Sequence, residues 1–215
     1  MAEKNTAIVL AAGQGKRMHS KIQKQFLEIQ GYPVLYYSLR CFQESPLIQD
    51  IILVTGEDAL SYCKEEIVKK YGFTKVSNVI AGGKERYDSV YAGLCACKDC
   101  RYVLIHDGAR PFISERIINE GIKFAEIYGA AAPGVMPKDT IKVKNEKNFS
   151  VDTPNRANLV SIQTPQVFKF DEILECHEKI RYNGEKVTDD TMVVEKYGYS
   201  VYLYDGEYTN IKVTT

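Results

Sequence analysis

The chain has 215 residues, of which 45% are hydrophobic and 26% charged, and its 28 basic and 28 acidic residues leave no formal net charge. This length suits one domain with a full core, and the neutral balance argues against non-specific binding of nucleic acid or a membrane surface, both of which favour a basic surplus. No apolar run approaches membrane-spanning length and the N-terminus lacks a signal-peptide pattern, so the sequence predicts a cytoplasmic protein whose six cysteines are thiols rather than bridges.

The chain opens on an apolar run, Ala7 to Ala12, that reads as a buried parallel strand entering a tight loop at Gly13 and Gly15. No acidic residue lies between Glu3 and Glu28, whereas Lys4, Lys16, Arg17, Lys21 and Lys24 are all cationic. A glycine loop with cationic side chains suits a polyphosphate, so this stretch is predicted to hold a nucleoside triphosphate. Two other glycine loops fail here. The dinucleotide fingerprint needs a third glycine where Met18 stands, and a P-loop needs Ser or Thr after Gly15-Lys16, where Arg17 stands.

Pro33 then starts a helix with Val34, Leu35, Ser38, Leu39 and Phe42 at helical spacing. Asp50–Thr55 reads as a strand, and Asp58 as the N-cap of a helix over 58–71 that Gly72 ends. Val76–Ala81 is a third strand running into Gly82-Gly83, followed by a helix over 84–97. A fourth strand, over 102–105, ends in His106-Asp107-Gly108-Ala109-Arg110-Pro111. Ser114 caps the next helix, and Ala130–Val135 is a fifth strand. Cys95, Cys97 and Cys100 crowd together and could join distant Cys63 at zinc. Their spacing lacks a paired second half, however, and Cys95 continues an apolar helical pattern from Val90 and Leu94, which favours plain thiols.

Alternating helices and continuously apolar strands predict an α/β, Rossmann-like fold: a mostly parallel sheet with helices on both faces. Ligands in such sheets sit at the carboxyl ends of the strands, so the first loop, Gly82-Gly83 and Asp107 should share one crevice. Beyond residue 136 the pattern changes. Alternation over 140–144, a polar turn over 145–148 and a return from Phe149 predict a projecting β-hairpin arm at about 137–160. Its open edges call for a second copy of the chain, giving a single domain over 1–215 that forms a homodimer through the arm. A helix over 171–181, a turn at Asn183-Gly184, a helix capped near Thr188 and closing strands over 199–204 and 208–213 complete the reading.

In order along the chain, LAAGQGKRM, KQF, GGKERYDSV, HDGARP, KDTIK, QTPQVF, VTDD and NIKVTT span Leu10 to Thr215. The set resembles the 2-C-methyl-D-erythritol 4-phosphate cytidylyltransferases. That family transfers a cytidylyl group from CTP to the sugar-alcohol phosphate, giving 4-diphosphocytidyl-2-C-methyl-D-erythritol and pyrophosphate in the non-mevalonate route to isoprenoids. The resemblance implies catalytic Arg17, Lys24 and Lys212 around the triphosphate, with Asp107 beside Mg2+. It also implies nucleotide binding by Ala11, Ala12, Gly13, Gly15, Lys16, Gly82 and Ser89. For the acceptor it implies Arg110 and Thr188, with Thr140 and Arg156 supplied by the partner's arm.

The nucleophile in that reaction is a phosphate oxygen, already anionic, so no general base is required and His106 reads as structural. Two departures stand out: Gln23 replaces the usual proline before the catalytic lysine, and relatives continue past the position of Thr215 through a Pro-Glu-Asp segment into a terminal helix. Three alternatives remain: a sister cytidylyltransferase acting on ribitol 5-phosphate, a non-catalytic nucleotide-binding protein on the same fold, and a nicotinamide-dependent dehydrogenase. Thr188-Asp189-Asp190 with Glu195 matches the methylerythritol enzymes better than the sister, retention of Arg17, Lys24, Asp107 and Lys212 together argues for catalysis, and Met18 disfavours the dehydrogenase.

Overall fold

The structure, a computed structural model, describes residues 4–13 and 23–213. Gly15, Lys16 and Arg17 therefore lie outside the described residues. Strand β1 (Lys4–Ala11) is apolar on both sides because it is buried on both sides: Ala7, Val9 and Ala11 enter one core cluster and Ile8 the other. A short ribbon, β2 (Glu28–Ile29) and β3 (Tyr32–Pro33), leads into α1 (Val34–Glu44), with Pro33 at the N-cap. β4 (Asp50–Thr55) follows, buried along its whole length.

The segment expected as one helix over 58–71 is a 3-10 turn (Glu57–Ala59), a single turn α2 (Leu60–Tyr62) and a π-helical stretch (Cys63–Lys69). Asp58 does not cap it. Gly56 holds the N-cap position, and the Asp58 carboxylate accepts from Gln23 Nε2 instead (3.4 Å).

β5 (Val76–Ala81), α3 (Arg86–Ala96), β6 (Cys100–Asp107), α4 (Glu115–Tyr128) and β7 (Ala130–Val135) continue the alternation. Next come β8 (Val143–Lys144), β9 (Ser150–Asp152), β10 (Ser161–Ile162), β11 (Gln166–Lys169), α5 (Phe170–Asn183), α6 (Asp190–Glu195) and β12 (Tyr202–Asp205). The main sheet runs β10-β7-β11-β6-β1-β4-β5, with β12 also on β7. β5, β4, β1 and β6 are mutually parallel, while β11 inserts antiparallel between β6 and β7.

Leu35, Leu39 and Phe42 of α1 and Ile117, Ile118 and Ile122 of α4 cover one face; Val90 and Leu94 of α3 and Ile173, Cys176 and Ile180 of α5 cover the other. Because the connections leaving β1 and β5 cross opposite faces, a crevice opens at the carboxyl ends of β1 and β6.

β8 and β9 form the expected hairpin apart from the main sheet, closed by Asn145, whose Oδ1 accepts from the backbone N–H groups of Lys147 and Phe149 (both 3.0 Å). Near the C-terminus one expectation is refined by a residue and another does not hold. The last helix is capped by Asp189, not Thr188, through Asp189 Oδ1 accepting from Met192 N–H (3.0 Å). Residues 208–213 form no strand, because fully buried Asn210 turns its side chain onto the Thr164 carbonyl (3.0 Å) and its own N–H onto the Glu207 carbonyl (2.9 Å). The segment is thereby pinned across the end of the sheet, where Val213 N–H reaches the Ala109 carbonyl (2.8 Å).

Candidate active site

Three loops build one rim. At the end of β1, buried Gln25 sits in the 3-10 turn Lys24–Phe26 and points Nε2 at the carbonyls of Ala11 (2.5 Å) and Gly13 (3.3 Å) and at Gln23 Oε1 (2.6 Å). These bonds tie the turn that carries Lys24 to the Ala11-Ala12-Gly13 loop. Gln23 holds φ −63°, the angle a proline ring would impose, so the backbone at the departed position keeps the conformation a proline favours.

At the end of β5, Gly82 N–H bonds the Thr55 carbonyl (2.7 Å). A Cβ at Gly82 would lie 2.6 Å from Ser89 Oγ and 2.7 Å from Ala12 Cβ, so only glycine lets these three residues meet. Ser89 Oγ accepts from Gly83 N–H (3.1 Å) and donates to the Glu85 carbonyl (3.3 Å). Between this corner and the Gln23 turn lies an open cavity of about 490 Å³, with Ala12, Gln23, Gly56, Asp58, Gly82 and Gly83 in its lining. That volume is within the range of small-ligand sites.

At the end of β6, Asp107 is paired with two cations. Lys212 Nζ lies 2.6 Å from Oδ2, and Arg86 Nε, from the first turn of α3, lies 3.3 Å from Oδ1. Burial alone would raise the Asp107 carboxyl, but Arg86 and then Lys212 outweigh it and hold it well below the usual carboxylate range.

Arg86 Nη1 also meets Asp190 Oδ2 (2.7 Å), and the other Asp190 oxygen faces Nε2 of buried His177 (3.2 Å). His106 is fully buried, and burial lowers its pKa to about 4, so the ring is neutral. Its Nε2 faces the Arg110 carbonyl (3.2 Å) and must carry the proton, which leaves Nδ1 to accept from the Thr164 hydroxyl (3.1 Å). Thr164 Oγ1 in turn accepts from Asp107 N–H (3.1 Å), so His106 braces the loop rather than titrating, as expected.

The acceptor candidates are more dispersed. Arg110 Nη1 donates to the Asn210 carbonyl (2.6 Å), and its buried Nε has no hydrogen-bond partner among the described residues. Thr188 is exposed, its hydroxyl directed at Met192 Sδ (3.6 Å). Thr140 is exposed on the arm, and exposed Arg156 bonds the Lys138 carbonyl (2.8 Å) along the arm itself.

The family profile described as 2-C-methyl-D-erythritol 4-phosphate cytidylyltransferase matches residues 5–215. The chain belongs to this family. A cytidylyltransferase of that name from Clostridium botulinum (strain Loch Maree) is 58% identical over 213 residues, 99% of this chain and 93% of its own length. One from Clostridium perfringens (strain SM101) is 56% identical over 212 residues, 99% of this chain and 94% of its own. Among solved structures, 4-diphosphocytidyl-2C-methyl-D-erythritol synthase from Anaerococcus prevotii superposes with a TM-score of 0.87 at 34% identity, covering 99% of this chain and 91% of that one. The Thermus thermophilus cytidylyltransferase gives 0.80 at 27% identity, covering 100% and 94%.

As a 2-C-methyl-D-erythritol 4-phosphate cytidylyltransferase, the chain uses CTP to form 4-diphosphocytidyl-2-C-methyl-D-erythritol in the isoprenoid pathway, which separates it from the ribitol, non-catalytic and dehydrogenase readings. Among the described residues no helix is long and apolar enough to cross a membrane.

Asp107 offers the kind of oxygen donor that a magnesium ion takes. Its carboxylate is ionised and lies at the crevice, and among the described residues no group of three or more His, Cys, Asp or Glu builds an all-protein metal cage. One hard oxygen donor suits an ion that takes its remaining ligands from phosphate and water. Sequence reasoning missed Arg86, Asp190 and His177. Arg86 stands inside GGKERYDSV and Asp190 inside VTDD, but nothing in their spacing signals that α3, α5 and α6 converge behind Asp107.

Proposed function

We propose that the crevice at the carboxyl ends of β1, β5 and β6 is the site of cytidylyl transfer. The observation that carries the reading is Lys212 against Asp107 at 2.6 Å, across 105 residues of sequence, beside the β1 end to which Gln25 ties the Lys24 turn. An oxygen of the methylerythritol phosphate attacks the α-phosphorus of CTP. The new P–O bond forms as the α–β bridging bond breaks, and the electron pair leaves on pyrophosphate.

Because both reactants are anions, the enzyme's work is to bring them together and to stabilise charge on the α-phosphate and leaving group. Lys24 and Lys212 supply fixed positive charge from opposite sides, and Arg17 and Lys16 extend it along the triphosphate. Asp107 would hold Mg2+ jointly with phosphate oxygens, and that ion supplies neutralisation of the phosphate charge.

Ala11, Ala12 and Gly13, with Gly15, Gly82 and Ser89, receive the nucleoside. The tight Gly82–Ser89–Ala12 corner and the adjoining cavity support this placement. Arg110 and Thr188 face the acceptor, and Thr140 and Arg156 reach it from the arm of a second copy. In support, the arm at about 137–160 carries exposed Phe149 (69%) and Val151 (59%), apolar surface suited to an interface. The chain is then one nucleotidyltransferase domain whose homodimer completes the acceptor site, working in the cytoplasm where CTP is made.

Steady-state kinetics with magnesium, CTP and 2-C-methyl-D-erythritol 4-phosphate, read by pyrophosphate release, test the assignment. Lys24→Ala should lower kcat about 100-fold or more, the scale of losing one charge-stabilising donor, with a much smaller change in KM for CTP. A rise in KM alone would contradict the role given to Lys24.

A further inference from the structure

Asp107 is paired with two cations that are anchored in different ways. Lys212 sits on the closing segment with its side chain 36% exposed, one residue beyond Ile211 and two beyond the buried Asn210. Arg86 is fixed from behind. Its Nη1 lies 2.7 Å from Asp190, a carboxylate only 1% exposed, whose other oxygen faces His177. The backbone N–H groups of Asp190 and Thr191 both donate to Gln166 Oε1 (3.1 and 3.2 Å), and Gln166 Nε2 donates to Asp189 Oδ2 (3.0 Å). Strand β11 and helices α5 and α6 thus hold Asp190 from three sides, and Asp190 holds Arg86.

Two carboxylates, Asp107 and Asp190, and two cations, Arg86 and Lys212, balance in this cluster. For Lys212 to serve a phosphate it must give up Asp107, whose side chain is only 11% exposed. Before a metal ion reaches it, a carboxylate that buried and without a countercharge is strongly unfavourable. We propose that Arg86 is a positioning residue whose fixed charge keeps Asp107 neutralised and in place, so that Lys212 can leave it for a substrate phosphate. This rests on the placement of Lys212 at the phosphates given above. Arg86 is then the permanent partner of Asp107 and Lys212 the exchangeable one.

Calorimetric titration with inorganic pyrophosphate in EDTA reads the exchange without metal or turnover. Lys212→Ala should weaken binding about tenfold or more, the loss of one phosphate-directed charge. Arg86→Gln should weaken it comparably, because Asp107 then retains Lys212. Arg86→Gln combined with Asp107→Asn should recover binding to within about threefold of wild type, since no carboxylate competes for Lys212. Arg86→Lys, which keeps the charge, should stay close to wild type.

If thermal melting shows Arg86→Gln unfolded, Arg86→Gln with Asp190→Asn removes the stranded buried carboxylate and should show the same weakening. Wild-type binding by the Arg86→Gln chain, or no recovery on adding Asp107→Asn, would overturn the proposal while Lys212→Ala still binds weakly. Unchanged binding by Lys212→Ala would instead remove the phosphate assignment and this inference with it.

Discussion

Asp190 shows how a single side chain behind the crevice shapes behaviour across the pH range. Burial alone would raise its carboxyl, but Arg86 and then His177 outweigh burial and hold it below its ordinary value. The folded chain thus keeps this carboxylate ionised at a pH where the unfolded chain takes up a proton. The stabilisation is present in full above the ordinary carboxylate value and is lost as pH falls below that value through the depressed one of the folded chain. Between pH 7 and pH 3 the wild-type melting temperature should fall most steeply below about pH 4, whereas Asp190→Asn should start lower and lose less over the same interval. Parallel curves would show that the pair contributes nothing to acid sensitivity.

Burial likewise pushes the Cys41 and Cys176 thiols up to about 11, while Cys95 is exposed. Iodoacetamide at pH 8 should therefore label Cys95 well before either of them, as read by peptide mass spectrometry, because the thiolate is the reacting form. At this scale the sequence disclosed residues at the end of β6 and on the closing segment and hid those packed behind them. Lys212 and Asp107 were legible through NIKVTT and HDGARP. Arg86 was not, since a cation in the first turn of a helix reads as a solvated one until the end of β6 is seen beside it. His177 reads as another core position on α5, at helical spacing from Ile173, Cys176 and Ile180.

Elements were legible where a local signal decided them. Ser114 caps α4 through Ile117 N–H (3.3 Å) and also donates to Glu207 Oε1 (2.8 Å). Ser114→Ala should destabilise the fold by about 1 kcal/mol and lower the melting temperature by about 2–4 °C.

Other elements depended on distant partners. Asp58 has the chemistry of a cap but is directed toward Gln23, and the alternation over 208–213 suits a strand until Asn210 is buried against Thr164. The β8–β9 hairpin follows from its sequence down to the Asn145 turn, and its cover by a second copy is the proposal to be tested. Phe149→Asp with Val151→Asp should convert a dimer to a monomer in sedimentation and raise KM for the sugar phosphate, with little change in KM for CTP. A dimer that persists with unaltered acceptor kinetics would refute the arm's role.

For the molecule as a whole, the crevice was foreseeable and the sheet order was not. Buried parallel strands put their carboxyl ends on one side, so the first loop, Gly82 and Asp107 had to approach one another. The insertion of β11 antiparallel between β6 and β7, and the return of β12 to β7, depend on which backbone edges remain free once the helices have packed. Those late insertions carry the closing segment to the crevice, and with it Lys212.

We place cations from the two ends of the chain around one triphosphate. A crystal structure with CTP and Mg2+ tests this placement most directly. The α-phosphate should lie between the Lys24 and Lys212 amines, the metal on Asp107, and the cytosine against Gly82 and Ser89. A triphosphate bound away from Lys212, with the Lys212–Asp107 pair still closed at 2.6 Å, would contradict it.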